Sequence, residues 1–415
     1  MALRIGAGLS SEANAYFAGK NASIKALSSL GVDVPDLGLA FAHYEYPILQ
    51  INDGIKTSLG EKNLIVINSQ GNILGKTFKK RSVLLALFSG HSYYHAASLI
   101  KNLSNNPYIA GHHLAWGLLD ILGGKSGGNS KGHPADREAL KKLALIFASD
   151  SFYQKTELLR GLQEVLGIRF PIAGGIISTD SPLSPGAATF NREGNADSVA
   201  GILLAGEELI IGVGCYHGWI PLGLPKRIKK TDKNRLQYLD DMTPLKYYTK
   251  YLGAHLDLTK EDITSISTIY PLGIELENSR EDYLIRFPRS FEPGGSILFD
   301  AQMVEHQNAR LVMGTRKELL EASRKALSEA LKPFEEEKTI PSLIIIISAI
   351  ERKEILGIDI NNEISYIREK MPDTTKIIGL YTHGQFGPYG GSSTAITPSF
   401  YHNGAIVITA IGIKK

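Results

Sequence analysis

The chain has 415 residues, of which 43% are hydrophobic and 21% are charged, and this balance excludes a disordered, collagen-like or coiled-coil protein. Its 45 basic and 42 acidic residues leave a formal charge of +3, which is too small to indicate a nucleic-acid or membrane-surface partner. The length predicts two or three domains. We expect a cytoplasmic protein, because the chain has a single cysteine, Cys215, shows no signal-peptide pattern at its start and has no aliphatic run longer than 343–347.

Three segments of the chain share one pattern of strands, helix and turn. The first has predicted strands at 37–42, 64–68 and 83–89, a helix at 48–59 and a glycine turn at 69–72. The second has predicted strands at 143–148, 170–173 and 199–204, a helix at 153–166 and a turn at Gly174 and Gly175. The third has predicted strands at 343–347, 377–381 and 405–411, a helix at 360–371 and a turn at 383–385.

These strands are continuous runs of Val, Ile, Leu and Ala, which are typical of strands that are covered on both faces. The first two strands of each unit need a helical crossover, so we expect them to be parallel, whereas the shorter return to the third strand allows an antiparallel pair. The sequence therefore predicts an α/β fold, a layered α/β sandwich with mixed sheets that is built from repeated β-α-β-β units.

The region before the third unit is predicted to add short strands at 269–275, 283–287 and 296–299 and a helix at 317–331. The basic, proline-containing stretch 221–233 is the best candidate for a boundary between two modules. Its run of cations at 226–230 is predicted to be a solvated strand edge, where lysines discourage pairing with another sheet.

One segment, 91–134, does not fit the repeat, and its glycine-rich end at 123–132 is predicted to be a flexible surface loop. A phosphate-binding loop at Gly124 is disfavoured because the position five residues earlier is Leu119 instead of glycine. The segment also contains four histidines, namely His91, His95, His112 and His113. Because no carboxylate lies close to them in the sequence, surface or structural histidines are favoured, and no metal site is predicted.

The third unit offers one mixed polar set at the ends of its strands, formed by Ser348, Glu351, Arg352 and His383. Ligands of α/β sheets gather beyond the carboxyl ends of strands, so this set is a candidate pocket. The alternative is a surface ion pair between Glu351 and Arg352, with His383 capping a turn. No nucleophile motif of the Gly-x-Ser-x-Gly type accompanies the set.

Several short motifs occur in a fixed order along the chain. Gly-Leu-Tyr-Thr-His-Gly-Gln-Phe-Gly-Pro stands at 379–388, Phe-Tyr-His-Asn-Gly at 400–404, and Gly-Trp-Ile-Pro-Leu-Gly at 218–223. Together with Tyr-Pro-Leu-Gly-Ile-Glu at 270–275, they resemble the C-terminal module of the FIST family, the F-box and intracellular signal transduction domain. Shorter stretches at 6–10, 35–42, 69–73 and 173–175 resemble its N-terminal module. The resemblance implies an N-terminal module at 1–213 and a C-terminal module at 214–415.

The resemblance implies a sensor of signal transduction that binds a small ligand, an amino acid or a similar metabolite, without catalysis. We expect Arg352 to take a carboxylate and Gln385 to present both a donor and an acceptor to the ligand. The predicted ligand-binding residues are Ser69, Gln70, Gly71, Gly174, Gly175, Ser348, Arg352, Tyr381, His383, Gly384, Gln385, His402 and Asn403.

Two alternatives stay open. Some members of the family look like haem proteins that sense nitric oxide and act on a partner histidine kinase, so haem held by a histidine is one alternative. The other is a hydrolase or transferase that uses Ser348, Glu351 and His383. The chain departs from the family pattern at Gln385, where glutamate is usual, and at Ala349, where cysteine is usual.

Overall fold

The computed structural model describes residues 3–31, 34–60, 63–124, 140–179, 185–253, 266–276, 282–391 and 397–414. Within these ranges the chain forms three similar units and one insertion in the third unit. From residue 125 onwards, the surface loop predicted at 123–132 lies outside the described residues.

The first unit confirms the predicted order of strands and helix and adds a strand and a helix before it. Helix α1 begins where the Asn14 side chain accepts a hydrogen bond from Phe17 N at 3.1 Å, and it ends at Gly31 in the left-handed conformation. The elements are β1 (Arg4–Ser10), α1 (Ala15–Leu30), β2 (Leu37–His43), α2 (Ile48–Leu59), β3 (Asn63–Ser69), β4 (Asn72–Leu74), β5 (Thr77–Lys79) and β6 (Val83–Ser89).

The second unit begins earlier than predicted, because the segment 91–134 supplies its first strand and first helix. Helix α3 carries a single charged residue, Asp120, and therefore lacks the amphipathic period by which the sequence could reveal it as an outer helix. The elements are β7 (Tyr94–Lys101), α3 (Pro107–Gly124), β8 (Lys141–Ser149), α4 (Lys155–Leu166), β9 (Ile172–Ile177), β10 (Ala188–Phe190), β11 (Glu193–Asn195) and β12 (Ser198–Gly206).

The predicted turn at Gly174 and Gly175 is wrong, because both residues lie inside β9. A Cβ atom on Gly174 would lie 1.8 Å from the carbonyl oxygen of Ile146 in β8. Glycine is therefore needed here for the close approach of two strands and not for a change of chain direction.

The third unit is interrupted by the insertion, which follows its first strand. The first strand and the insertion are β13 (Leu209–Tyr216), β14 (Trp219–Pro221), β15 (Lys226–Asp232), β16 (Arg235–Leu239), α5 (Pro244–Leu252), β17 (Leu272–Glu275), β18 (Tyr283–Arg286), β19 (Pro288–Phe291), β20 (Ile297–Phe299) and β21 (Asn308–Gly314). The predicted module boundary after residue 213 falls inside β13 and stays a prediction.

The unit then continues with helices and strands that agree with the prediction at 343–381. These elements are α6 (Arg316–Glu336), β22 (Leu343–Ala349), α7 (Ile350–Leu356), α8 (Ile360–Glu369), β23 (Lys376–Thr382), β24 (Gly384–Pro388), β25 (Gly390–Gly391), β26 (Ser399–His402) and β27 (Ile406–Ile413). The turn predicted at 383–385 is shorter than expected, because Gly384 and Gln385 already belong to β24.

The three units have the same strand order. It is β1-β6-β2-β3 in the first, β7-β12-β8-β9 in the second and β13-β27-β22-β23 in the third. In each unit two strands joined through a helix, β2 with β3, β8 with β9 and β22 with β23, are parallel. The returning strands β6, β12 and β27 are antiparallel to their neighbours. The predicted α/β fold with mixed sheets is therefore confirmed.

Each unit also lends strands to the sheet of another unit. The β4–β5 hairpin pairs with β23, the β10–β11 hairpin pairs with β3, and β24 pairs with β9 and carries β26 on its other side. These exchanges run in a cycle through the three units. Removing one unit from the other two would therefore break its strand pairs with both of them.

One central hydrophobic core lies between the three sheets, where Phe41 and Phe147 pack with their ring centroids 6.1 Å apart. Three outer cores bind α1 and α2, α3 and α4, and α6 and α8 to the outer faces of their sheets. The insertion has a separate core and its own sheet. Among the helices of the described ranges, none is both long and apolar enough to span a membrane.

The basic run 226–230 forms the first part of β15, but this strand is not a sheet edge. It pairs with β21 on one side and with β16 on the other. Lys229 and Lys230 are exposed while Ile228 between the cations is buried. The prediction of a solvated strand is confirmed, and the prediction of an unpaired edge is wrong.

Candidate functional site

The ends of three inner strands, β3, β9 and β23, meet at the centre of the molecule. The backbone N–H of Gln70, just after β3, donates to the carbonyl of Tyr381 at 3.2 Å. The N–H of His383, just after β23, donates to the carbonyl of Ile176 in β9 at 3.2 Å. Predicted site residues from different units are therefore joined by main-chain hydrogen bonds.

A group of buried polar side chains lies around this meeting point, and we call it the central polar cluster. The strand ends of the second and third units supply part of it, the helices α4 and α7 another part, and the insertion the rest. Its members are Asp150, Lys155, Ser178, Arg289, Asp300, Glu351, His383 and Asn403.

Arg289 and Asp300 form the half of the cluster that comes from the insertion. Arg289 Nη2 donates to Asp300 Oδ2 at 2.9 Å and lies 3.9 Å from Glu351 Oε1. The Asn403 amide donates to the same Asp300 oxygen at 2.6 Å and to the carbonyl of His383 at 3.3 Å. The Arg289 side chain keeps 16% of its surface exposed, so the cluster lies close to solvent at this residue.

Asp150 and Lys155 form the other half, with an ion pair of 2.7 Å between Asp150 Oδ1 and Lys155 Nζ. Their side chains are 5% and 1% exposed, so this pair is almost completely removed from water. Next to it, the Ser178 hydroxyl and His383 Nδ1 share a hydrogen bond. The structure thus extends the predicted site at His383 by three residues that the sequence did not indicate.

Burial changes the charge of two members of the cluster. It raises the pKa of Glu351 to about 8, although the positive charge of Arg289 opposes the rise. It lowers the pKa of His383 to about 3, and the charge of Arg289 lowers it further. Near neutral pH the imidazole is therefore uncharged and Glu351 is mostly protonated.

Several polar atoms of the cluster have no hydrogen-bond partner in the protein. They are Arg289 Nε, Asp300 Oδ1, Glu351 Oε1 and Glu351 Oε2. A buried polar atom without a partner costs about 1–3 kcal/mol, so such atoms are uncommon outside functional sites. Together they offer one donor on a cation and three oxygens, which is a complementary surface for a small polar molecule.

A cleft of about 550 Å³ lies beside the cluster, between the insertion and α7. Glu354 in its wall lies one helical turn after Glu351 and interacts electrostatically with Arg289. The other lining residues are Thr268, Ile269, Gly314, Thr315, Arg316 and Ile355. A larger cleft, of about 770 Å³, lies at the opposite ends of β8 and β9 and contains none of the predicted site residues.

Arg352 does not belong to the cluster, because its guanidinium is held inside the protein. It is fully buried and donates to Glu363 Oε1 at 2.6 Å, to Ser323 Oγ at 2.6 Å and to two main-chain carbonyls. A surface pair between Glu351 and Arg352 is therefore wrong. These contacts support a structural role for Arg352 and give no support to its predicted role in binding a carboxylate.

Gln385 is likewise bonded within the protein. Its amide nitrogen donates to Thr382 Oγ1 at 3.0 Å and to the Thr382 carbonyl at 3.2 Å, while its amide oxygen accepts from Ala405 N at 3.0 Å. The neighbouring Gly384 has no room for a side chain, because a Cβ atom would lie 2.4 Å from Tyr401 Oη. Both residues fix the start of β24.

The other predicted residues are divided between the site and its surroundings. Ser69 Oγ donates to Asn72 Oδ1 at 2.8 Å, which closes the turn that contains Gly71. His402 Nε2 and the Gly387 carbonyl lie 2.9 Å apart, a contact within the β24–β26 pair. Ser348 is buried, and its hydroxyl is not hydrogen bonded to Glu351 or His383, so the three residues do not form a catalytic set.

The described clefts give the haem alternative no specific support. Neither of the two clefts is lined by a histidine. The buried His383 and His402 use one ring nitrogen within the protein and His217 Nδ1 accepts from Trp219 N at 2.9 Å, whereas neither ring nitrogen of the buried His43 has a hydrogen-bond partner. In the part of the chain that the structure describes, no group of three or more His, Cys, Asp or Glu side chains is placed to hold a metal ion.

Comparison with known families matches the FIST N domain to residues 36–242 and the FIST C domain to residues 244–388. No curated protein matches the chain.

Similar solved structures include PurLQS from Thermotoga maritima, with 8% identity, 99% of this chain and 72% of that chain covered and a TM-score of 0.22. A second similar structure is T. maritima PurL complexed with FGAR, with 9% identity, 99% of this chain and 72% of that chain covered and a TM-score of 0.22. Such low scores carry no argument about this chain. The two domain matches cover most of the sequence, and the chain therefore belongs to the FIST family of signal-transduction sensor domains.

Proposed function

We propose that the chain is a cytoplasmic sensor that binds an amino acid or a similar small metabolite in the central polar cluster and does not transform it. The observation that carries this proposal is the set of buried, unpartnered atoms on Arg289, Asp300 and Glu351. A separate signalling protein, such as a histidine kinase, would receive the signal by contact.

The ligand is oriented by charge. The free Nε side of Arg289 is suited to a carboxylate, since guanidinium binds carboxylates through two parallel hydrogen bonds. Asp300 Oδ1 accepts a hydrogen bond from an ammonium group, and so does the carbonyl oxygen of the Glu351 carboxyl, which is mostly protonated near neutral pH. A molecule with both groups would satisfy atoms on both sides of the cluster.

Binding at this place couples separate parts of the chain. Arg289 lies in the insertion, Glu351 lies in the first turn of α7, and His383 directly follows β23. A ligand that contacts all of them favours the arrangement in which they lie together, as a sensor requires. At a ligand concentration of 100 times Kd, binding adds about 2.7 kcal/mol to the free energy of unfolding.

Catalysis is a weaker interpretation of the same cluster. His383 shares a hydrogen bond with the Ser178 hydroxyl, but burial lowers the pKa of this histidine to about 3. A general base works best when its pKa lies near the working pH, so this imidazole is a poor acceptor for a hydroxyl proton. The hydrolase alternative therefore has no specific support.

The proposal is tested by thermal unfolding in the presence of single amino acids and related small carboxylates. At least one should raise the melting temperature of the wild type and not that of Arg289→Met. Arg324→Met is the matched control, because Arg324 is an exposed arginine that pairs with Glu321 at 3.3 Å and lies over the Tyr366 ring, outside the central polar cluster, and it should keep the full shift.

A panel without any stabilising compound, or a shift that Arg289→Met retains, would contradict the proposed site. The stabilising compound should also be recovered unchanged by mass spectrometry after prolonged incubation. Recovery of a product instead would favour the enzyme alternative.

A further inference from the structure

A second group of polar side chains lies between the first unit and α7, and we call it the basic crevice. Its members come from the ends of β2 and β3, from the loop before β6 and from α7. They are His43, Gln70, Lys80, Arg81 and Lys353. The central polar cluster does not include any of them.

Lys353 is held in the crevice by two aromatic rings. Its Nζ lies 5.6 Å from the ring centroid of Phe78 and 5.7 Å from that of Tyr381. The two rings pack edge to face with their centroids 5.5 Å apart, so they form a fixed platform. No carboxylate oxygen lies within ion-pair distance of this ammonium group in the described residues.

The neighbours of Lys353 add further positive charge. Burial lowers the pKa of Lys353, and the charge of Lys80 lowers it further, although Glu354 opposes the change. On the first-unit side, the acidic side chain of Glu45 lies 3.4 Å from Arg81 Nε. A group of cations in which the central residue, Lys353, is not paired with an acid is typical of a binding site for an anion.

Two buried donors complete the crevice. His43 is 0% exposed and neither ring nitrogen has a hydrogen-bond partner, the nearest carboxylate oxygen being Glu45 Oε2 at 3.8 Å. Gln70 is 6% exposed, and its amide nitrogen is also unpartnered. The backbone N–H of Gln70 donates to the carbonyl of Tyr381, so Gln70 is adjacent in the fold to the residue whose ring holds Lys353.

We infer that the basic crevice binds an anionic group, a carboxylate or a phosphate, through Lys353, Gln70 and His43. Lys353 lies two residues after Glu351 and over the ring of Tyr381, which lies two residues before His383, so the crevice and the central polar cluster adjoin. The anionic group therefore belongs to the same ligand, whose other end binds Arg289. This inference rests on the proposed function and narrows the ligand to molecules with two anionic groups.

Matched pairs of amino acids test the inference by thermal shift and calorimetric titration. Glutamate against glutamine adds a carboxylate, and O-phosphoserine against serine adds a phosphate. The wild type should bind the more anionic member of at least one pair about 10-fold or more tightly, the usual size of a charge-assisted hydrogen bond. Whichever pair shows the preference identifies the anionic group.

Lys353→Met should abolish the preference and leave the weaker binding of the neutral member. Gln70→Met is a second, milder variant that should reduce the preference. The matched control is Lys370→Met, because Lys370 also lies over a tyrosine ring, Tyr366 at 5.7 Å, but does not contact Phe78 or Tyr381 as Lys353 does, and it should keep the preference.

Equal affinity for both members of each pair, or a preference that Lys353→Met retains, would overturn the inference. The proposed function would still stand in that case if binding of the ligand depends on Arg289. If no member of either pair binds the wild type, the inference fails for these two anionic groups. The wider panel against Arg289→Met then decides separately whether the proposed function fails as well.

Discussion

Replacing Arg352 by methionine tests whether this residue stabilises the fold or binds the ligand. The Arg352–Glu363 pair is 2.6 Å long, and its two side chains are 0% and 1% exposed. Removal of one partner from a buried pair leaves an uncompensated charge and costs about 3–5 kcal/mol. The variant also leaves the carbonyls of His217 and Leu319 without the hydrogen bonds that Arg352 donates.

Urea unfolding at neutral pH measures this loss as a lower midpoint. The double variant Arg352→Met/Glu363→Leu should recover most of it, since no buried charge is left behind. The folded Arg352→Met protein should still bind the ligand. A variant that unfolds at the wild-type urea concentration but no longer binds would refute the structural role and restore the sequence-based prediction.

Three further predictions concern single residues. Because the pKa of Glu351 is about 8 in the folded protein and ordinarily 4.5, the folded state holds an extra proton between these values, and stability should fall by up to about 1.4 kcal/mol per pH unit as pH rises through that window. Glu351→Gln should flatten this dependence in urea titrations at several pH values, and an unchanged slope would contradict the assignment. Gln385→Glu should cost about 1–3 kcal/mol at neutral pH, measured by thermal unfolding, because a carboxylate cannot donate to Thr382, and equal stability would count against these contacts. Gly174→Ala should destabilise by about 1–3 kcal/mol or more in the same assay, since its Cβ would collide with the Ile146 carbonyl, and a wild-type melting temperature would contradict that packing.

Hydrophobic pattern and spacing predicted most of the inner sheets. The runs at 37–42, 143–148 and 343–347 lie inside β2, β8 and β22, and the expected parallel and antiparallel pairs are present. The first strand and helix of the second unit were missed because α3 is apolar on nearly all sides. The exchange of hairpins between units could not be predicted from local sequence patterns, because each exchanged hairpin pairs with a strand that is far away in the sequence.

The site was predicted only in part. His383 and Glu351 do lie in one cluster, as the ends of strands suggested, and Asn403, which was expected from the family resemblance, lies there as well. Arg289 and Asp300 come from the insertion, where no motif marks them, and only the fold brings them beside the third unit. Arg352 was misjudged because the residue type does not reveal whether an arginine faces a ligand or a buried glutamate.

A crystal structure of the protein grown with the most stabilising compound of the panel tests the site most directly. We predict a ligand carboxylate within hydrogen-bond distance of Arg289 Nε, an atom that has no partner in the protein. A ligand found instead in the cleft of about 770 Å³ beside Lys141 and Arg169, with the central polar cluster unchanged, would contradict it.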